Sequence, residues 1–174
     1  MGQLLNLPFM HKAKNGQETA QAASADEAEP TDDERKLLLY RLIIDRYRDK
    51  IEEYETKSVS DLKALVKPHE QKTAEMRESL IEEFHPYVYG EHFLQAAKMA
   101  FASVSAFKTL PAPVSFWLSF SEMQEIGAGD EIDKSILVCS LLRSLGSENA
   151  KVFVTDTRNS YVLFQSGGKS FVAD

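Results

Sequence analysis

The sequence is poor in the residues that thiol and imidazole chemistry requires. Among its 174 residues there is one cysteine, Cys139, so no disulfide can form within the chain and a cysteine-based metal site is not expected. There are four histidines, and the last of them along the chain is His92. Any cysteine–histidine pair in the C-terminal part of the chain is therefore excluded.

Positive charge and long apolar runs are also scarce. The net charge is −7, which argues against a nucleic-acid surface and against a polybasic membrane anchor. No stretch approaches the roughly 18 consecutive apolar residues of a spanning helix. The first ten residues lack the charged region and the cleavage site of a secretory signal. We therefore expect no nucleic-acid partner, no membrane association and a cytoplasmic location.

The N-terminal third changes character at Glu34. Residues 1–33 are predicted to form a disordered arm, because the segment after His11 offers almost nothing but alanine to bury. From residue 34 to 57 a long helix is predicted, and Thr31 with Glu34 resembles a capping box at its start. Six apolar residues follow the 3–4 spacing of a heptad repeat: Leu37, Tyr40, Ile44, Tyr47, Ile51 and Tyr54. Such a helix packs either on its own domain or, as a coiled-coil arm, on a protein partner or a second copy.

Shorter helices and then strands are predicted downstream. The helices are expected over 61–66, 70–84, 90–107 and 115–126, followed by a helix over 132–145 that is apolar nearly all round and therefore buried. Asp130 is its expected N-cap and Gly146 its expected stop. Residues 150–155, 160–165 and 170–173 are rich in β-branched and aromatic residues, with Gly167-Gly168 suited to a hairpin turn. The expected fold is α+β, with N-terminal helices and a buried central helix packed on a small antiparallel sheet.

The C-terminal part, from about Phe116 to Asp174, resembles the core of transglutaminase-like (papain-related) domains. In that family a G-x-C-x-D/E element precedes a helix ending in L-L-R-x-L-G, and an antiparallel meander follows. The corresponding segments here are GDEID (129–133), SLLRSLG (140–146) and FVAD (171–174). The resemblance implies three regions: the arm 1–33, a helical region 34–114 and a transglutaminase-like core 115–174.

The Cys-His-Asp triad of that family has no counterpart in this chain except its aspartate. Glu131 stands at the nucleophile position, Ser160 at the histidine position and Asp174 at the aspartate position. A carboxylate at a helix N-terminus cannot form a thioester, and without the imidazole there is no general base near neutral pH. The resemblance therefore implies no catalytic residues, no cofactor and a non-enzymatic binding or scaffold module.

Structural roles are expected for the other residues that could carry chemistry. Cys139 lies a little over two helical turns beyond Glu131, where a buried core role is expected. The histidines, including His85 and His92, are expected at the surface or in caps. Metal ions are not expected, and the candidate ligands would be four carboxylates with oxygen donors suited to hard cations: Asp130, Glu131, Asp133 and Asp174. Two alternatives stay open: a metal- or carboxylate-dependent hydrolase built on Glu131, Asp133 and Asp174, and a fragment of a larger transglutaminase-like protein.

Overall fold

The computed structural model describes residues 31–110, 114, 116–155 and 159–173. Most of the predicted arm (1–30) lies outside these residues, as do Asp156 and Asp174. The chain divides into two compact units, with the boundary between Leu39 and Tyr40. Of the first unit, the structure describes residues 31–39, which form the start of the first helix.

The first helix, α1, spans Asp32–Glu55. The predicted capping box is present: the Glu34 amide donates to Thr31 Oγ1 at 3.3 Å, and the Thr31 amide donates to Glu34 Oε2 at 2.7 Å. The helix begins two residues before the predicted Glu34 and ends two before the predicted residue 57. None of its residues is buried, and Ile44 and Ile51 are half-buried.

Four further helices follow: α2 (Val59–Ala64), α3 (Gln71–Ile81), α4 (Tyr89–Ser105) and α5 (Phe120–Ile126). The prediction that the last of these begins at residue 115 was wrong, since 116–119 are not helical. Ser119 caps α5 instead, with its Oγ accepting from the Glu122 amide at 3.3 Å. The Glu122 carboxylate in turn accepts from the Ser119 amide at 2.8 Å. This Ser-x-x-Glu signature is visible in the sequence.

The central helix, α6, spans Glu131–Ser144 and is buried over most of its length. It packs against α3, against α4 and against the sheet. Gly146 ends it with φ +106°, and a Cβ there would lie 2.9 Å from the Tyr89 ring. Arg143 Nε donates to the Ala150 carbonyl at 2.9 Å, which ties the end of α6 to the start of the sheet. The predicted buried helix, with its glycine stop, is confirmed.

The sheet is an antiparallel meander of β3 (Lys151–Val154), β4 (Ser160–Ser166) and β5 (Lys169–Ala173). Gly167 and Gly168 form the predicted hairpin turn, with φ +56° and +74°. On the inner face, Val162 and Phe164 belong to the core or pack against it. The α+β fold predicted from the sequence is confirmed.

One pairing was not predicted. The two-residue strands β1 (Lys108–Thr109) and β2 (Ala128–Gly129) pair in parallel, so that Thr109 lies opposite Gly129. Segments this short carry no alternation of apolar and polar residues from which a strand can be recognised. Within the described residues, no helix combines the length and the apolar character needed to cross a bilayer.

Candidate functional site

The start of α6 is fixed by its cap and by the strand before it. Asp130 Oδ1 accepts from the Asp133 amide at 2.7 Å, as predicted for the N-cap. Glu131 is the first residue of the helix, and its side chain is exposed. The short strand β2 ends at Gly129, directly before the cap, and is paired with β1.

Ser160, the first residue of β4, is hydrogen-bonded directly to this helix start. Its hydroxyl donates to the Glu131 carbonyl at 2.9 Å. Its Oγ also lies 2.8 Å from Ser135 Oγ. A carbonyl oxygen can only accept, so the single hydroxyl proton of Ser160 is donated to Glu131. Ser135 must therefore be the donor in the bond between the two hydroxyls. The residues predicted at the nucleophile and histidine positions therefore meet through the Glu131 carbonyl, and their neighbour Ser135 completes a half-buried hydroxyl chain.

A cleft of about 440 Å³ opens beside these residues. It lies between α4, the first turns of α6 and the start of β4, and it is lined by Phe101, Val104, Ser105, Thr109, Glu131, Lys134, Ser135, Val138, Asn159, Ser160, Tyr161, Val162 and Ala173. Its polar groups are a carboxylate, hydroxyls, an amide and one ammonium. No thiol or imidazole is among the described residues that line it.

Lys134 is the cation of this cleft, and it is held in place. Its ammonium donates to Thr109 Oγ1 at 2.8 Å and to the Phe107 carbonyl. Lys134 thereby connects α6 to the strand β1. The sequence interpretation did not single out Lys134, Ser135 or Thr109, because only the pairing of β1 with β2 brings residues 107–109 beside the helix.

Cys139 does not reach the cleft. It is fully buried, and burial raises the pKa of its thiol, while the charge of Arg143 acts in the opposite direction. The nucleophilic form is the thiolate, so this environment disfavours reactivity. The prediction that Cys139 lies in the core is confirmed.

Asp133 lies on the other side of the helix start. It is 3% exposed and borders a second cavity of about 270 Å³, together with Trp117 and Glu122. Burial of the carboxyl group raises the pKa of Asp133 to about 7, and the negative charge of the neighbouring Asp130 carboxylate contributes to this rise. Backbone hydrogen bonds involving Leu118 and Asp130 act in the opposite direction.

Glu131 and Asp133 do not meet at one point, as the hydrolase alternative requires of its carboxylates. Each residue of an α-helix is rotated by about 100° from the one before it, so side chains two residues apart are about 200° apart around the axis. They therefore lie on nearly opposite sides of the helix. Glu131 borders the first cavity and Asp133 the second. Within the described part of the chain, which leaves out Asp174, no group of three or more His, Cys, Asp or Glu side chains is arranged to hold a metal ion.

The described histidines, His69, His85 and His92, do not line the cleft. His92 Nδ1 accepts a hydrogen bond from the Val88 amide at 3.0 Å, at the start of α4, and its ring stacks on Phe84 with 5.1 Å between the centroids. The capping role predicted for histidine is thus confirmed at His92. None of the described cleft residues is a histidine.

Comparison with protein-family models, with curated proteins and with solved structures yields no match for this chain.

Proposed function

We propose that this chain is a transglutaminase-like domain without the catalytic cysteine and histidine, and that it acts as a non-catalytic binding or scaffold module. The observation that carries the proposal is the bond of 2.9 Å between Ser160 Oγ and the Glu131 carbonyl. It joins the start of the buried helix to the start of the second strand of the meander. Those are the two places where the resembled family holds its nucleophile and its histidine.

The chemistry of the cleft supports a binding role. Glu131 offers a carboxylate where a thiolate would be needed, and Ser160 offers a hydroxyl whose proton is already engaged by a carbonyl. The two groups therefore do not form the thiolate–imidazole pair that the mechanism of the resembled family requires. A cleft with a carboxylate, a fixed ammonium and several hydroxyls is suited to hold a polar ligand or peptide.

Two further parts of the proposal concern partners and location. Helix α1 has no buried residue and is the element through which we propose that a protein partner docks. A cytoplasmic location stays a prediction. Among the described residues, the hydrolase alternative lacks the shared site that it requires, because Glu131 and Asp133 border different cavities.

The proposal is tested by restoring the missing pair. With Cys139→Ala removing the native thiol, Glu131→Cys and Ser160→His together place a thiol and an imidazole at the two positions. If the positions correspond to the family pair, the imidazolium lowers the pKa of the new thiol relative to the Glu131→Cys variant without the histidine. The rate of iodoacetamide alkylation as a function of pH measures this, and we expect the midpoint to fall by at least about one pH unit.

A matched control places the histidine elsewhere on the same strand. Leu163 is 42% exposed on the outer face of the sheet, so Leu163→His adds an imidazole that faces away from α6. Equal midpoints in the Ser160→His and Leu163→His backgrounds, with circular dichroism showing both variants folded, would contradict the proposed correspondence.

A further inference from the structure

An apolar groove runs along the part of α1 that belongs to the second unit. It has a volume of about 560 Å³ and is lined by Ile44, Lys50, Ile51, Tyr54, Glu55, Val114 and Phe116. The apolar rings at and beside it are open to solvent: Tyr54 is 86% exposed, Tyr47 47% and Phe116 44%. Aromatic side chains of this size dominate interface energetics when they are buried by a partner.

The groove has the spacing that a helix recognises. In heptad notation Ile44 and Ile51 occupy a positions, while Tyr40, Tyr47 and Tyr54 occupy d positions. Residues 40–55 would present this seam over about 24 Å, at 1.5 Å per residue. An amphipathic helix laid into such a groove inserts its own apolar residues at three- and four-residue intervals.

The charges at the edges of the seam select the partner. Within residues 40–55, the e and g positions that flank the seam hold three cations, one anion and one apolar residue: Arg41, Arg48, Lys50, Glu55 and Ile43. Arg48 is ion-paired with Asp45 at 3.1 Å, so Arg41 and Lys50 are the two cations for which no ion pair is seen within the described residues. Lys50 itself borders the groove. In coiled-coil pairing these flanking charges decide which partner is accepted. A second copy of the chain is a weaker complement. An antiparallel pair brings Arg41 towards Arg48, and in a parallel pair the repulsion between Lys36 and Arg41 offsets the attraction between Lys50 and Glu55.

We propose that this groove binds an amphipathic helix of a protein partner that carries acidic residues beside its apolar face. The inference deepens the partner part of the proposed function and does not depend on the transglutaminase-like resemblance. The overall charge of −7 does not prevent it, since screening at physiological salt limits interactions between exposed charges to about 8 Å.

Two designed helical peptides of three heptads each test the proposal with the full chain. Both have leucine at every a and d position; one has glutamate and the other lysine at every e and g position. We expect the glutamate peptide to bind at least about tenfold more tightly by fluorescence anisotropy, with an affinity that falls as salt rises. Lys50→Glu should weaken it by about three- to tenfold. Arg46→Glu, which makes the same charge change at a c position away from the seam, should leave the affinity unchanged.

Several results would overturn the proposal. One is equal binding of the two peptides, or the absence of binding by both. Another is an equal loss of affinity in the Lys50→Glu and Arg46→Glu variants. A dimer of the chain in sedimentation that dissociates on Lys50→Glu would assign the groove to a second copy, and groove-dependent binding to phosphatidylserine vesicles would assign it to a lipid surface. The alkylation test of Glu131→Cys and Ser160→His is unaffected by any of these, so the two proposals fail separately.

Discussion

At the scale of single residues, the start of α6 shows how position along the chain and position in the fold can differ. Glu131 and Asp133 are two residues apart, yet one is exposed at the polar cleft and the other is buried beside Trp117. The sequence correctly predicts that Asp130 caps the helix. It does not reveal that Asp133 is buried, because its cover comes from residues 117–122, which are brought there only by the tertiary fold.

The burial of Asp133 predicts how stability depends on pH. Its pKa is about 7 in the folded chain against an ordinary value of 3.8. Between these values the native state holds a proton that the unfolded state has lost, so the free energy of unfolding falls as pH rises. The slope approaches about 1.4 kcal/mol per pH unit inside this window.

Asp133→Asn removes this titration and keeps an oxygen that accepts hydrogen bonds. We expect the variant to be more stable than the native chain at pH 8 and to differ little from it at pH 4. Urea denaturation across this range measures the effect. An unchanged pH dependence in the variant would show that Asp133 is not the group responsible.

At the scale of elements, glycines with opposite backbone requirements mark a helix and a hairpin. Gly168 has φ +74° in the β4–β5 turn, while Gly90 lies in the first turn of α4, and a Cβ added at either would meet open space. The difference between them is therefore one of backbone conformation and not of packing.

Alanine substitution at these two positions should have opposite effects. Gly168→Ala forces an L-residue into the left-handed region and should destabilise the chain by about 1–2 kcal/mol. Gly90→Ala should stabilise it by up to about 1 kcal/mol, because alanine loses less backbone freedom in a helix. Thermal unfolding of both variants provides the comparison. A Gly168→Ala variant as stable as the native chain would contradict the assigned turn, and destabilisation by Gly90→Ala would contradict the helical conformation at that residue.

At the scale of the whole molecule, the core joins the helices to one face of the sheet. Phe93 on α4 is 1% exposed and contacts Phe164 on β4 edge-on, with 5.8 Å between the ring centroids. The opposite face of the sheet carries Phe153, Leu163 and Val172, all more than two-fifths exposed. The same residue type therefore has different roles on the two faces.

Phe93→Ala should lower the free energy of unfolding by about 3–5 kcal/mol, because it leaves a cavity between the helices and the sheet. Phe153→Ala is the matched control: its side chain is 57% exposed, and the change should cost less than about 1 kcal/mol. Chemical denaturation of the two variants measures the contrast. Similar costs at both positions would show that the sheet is not anchored through Phe93.

The sequence by itself determined the α+β class, the buried helix α6, its Asp130 cap and Gly146 stop, and the meander with its Gly-Gly turn. These features follow from local signals, namely periodicity, capping residues and turn glycines, which act over a few residues. Only the tertiary structure decided that Ser135 and Ser160 share a hydroxyl chain, that Lys134 is held by Thr109, and that Glu131 and Asp133 face different cavities. Each of these depends on which distant segment covers which side of a helix, and that is set by packing between elements that no local pattern records.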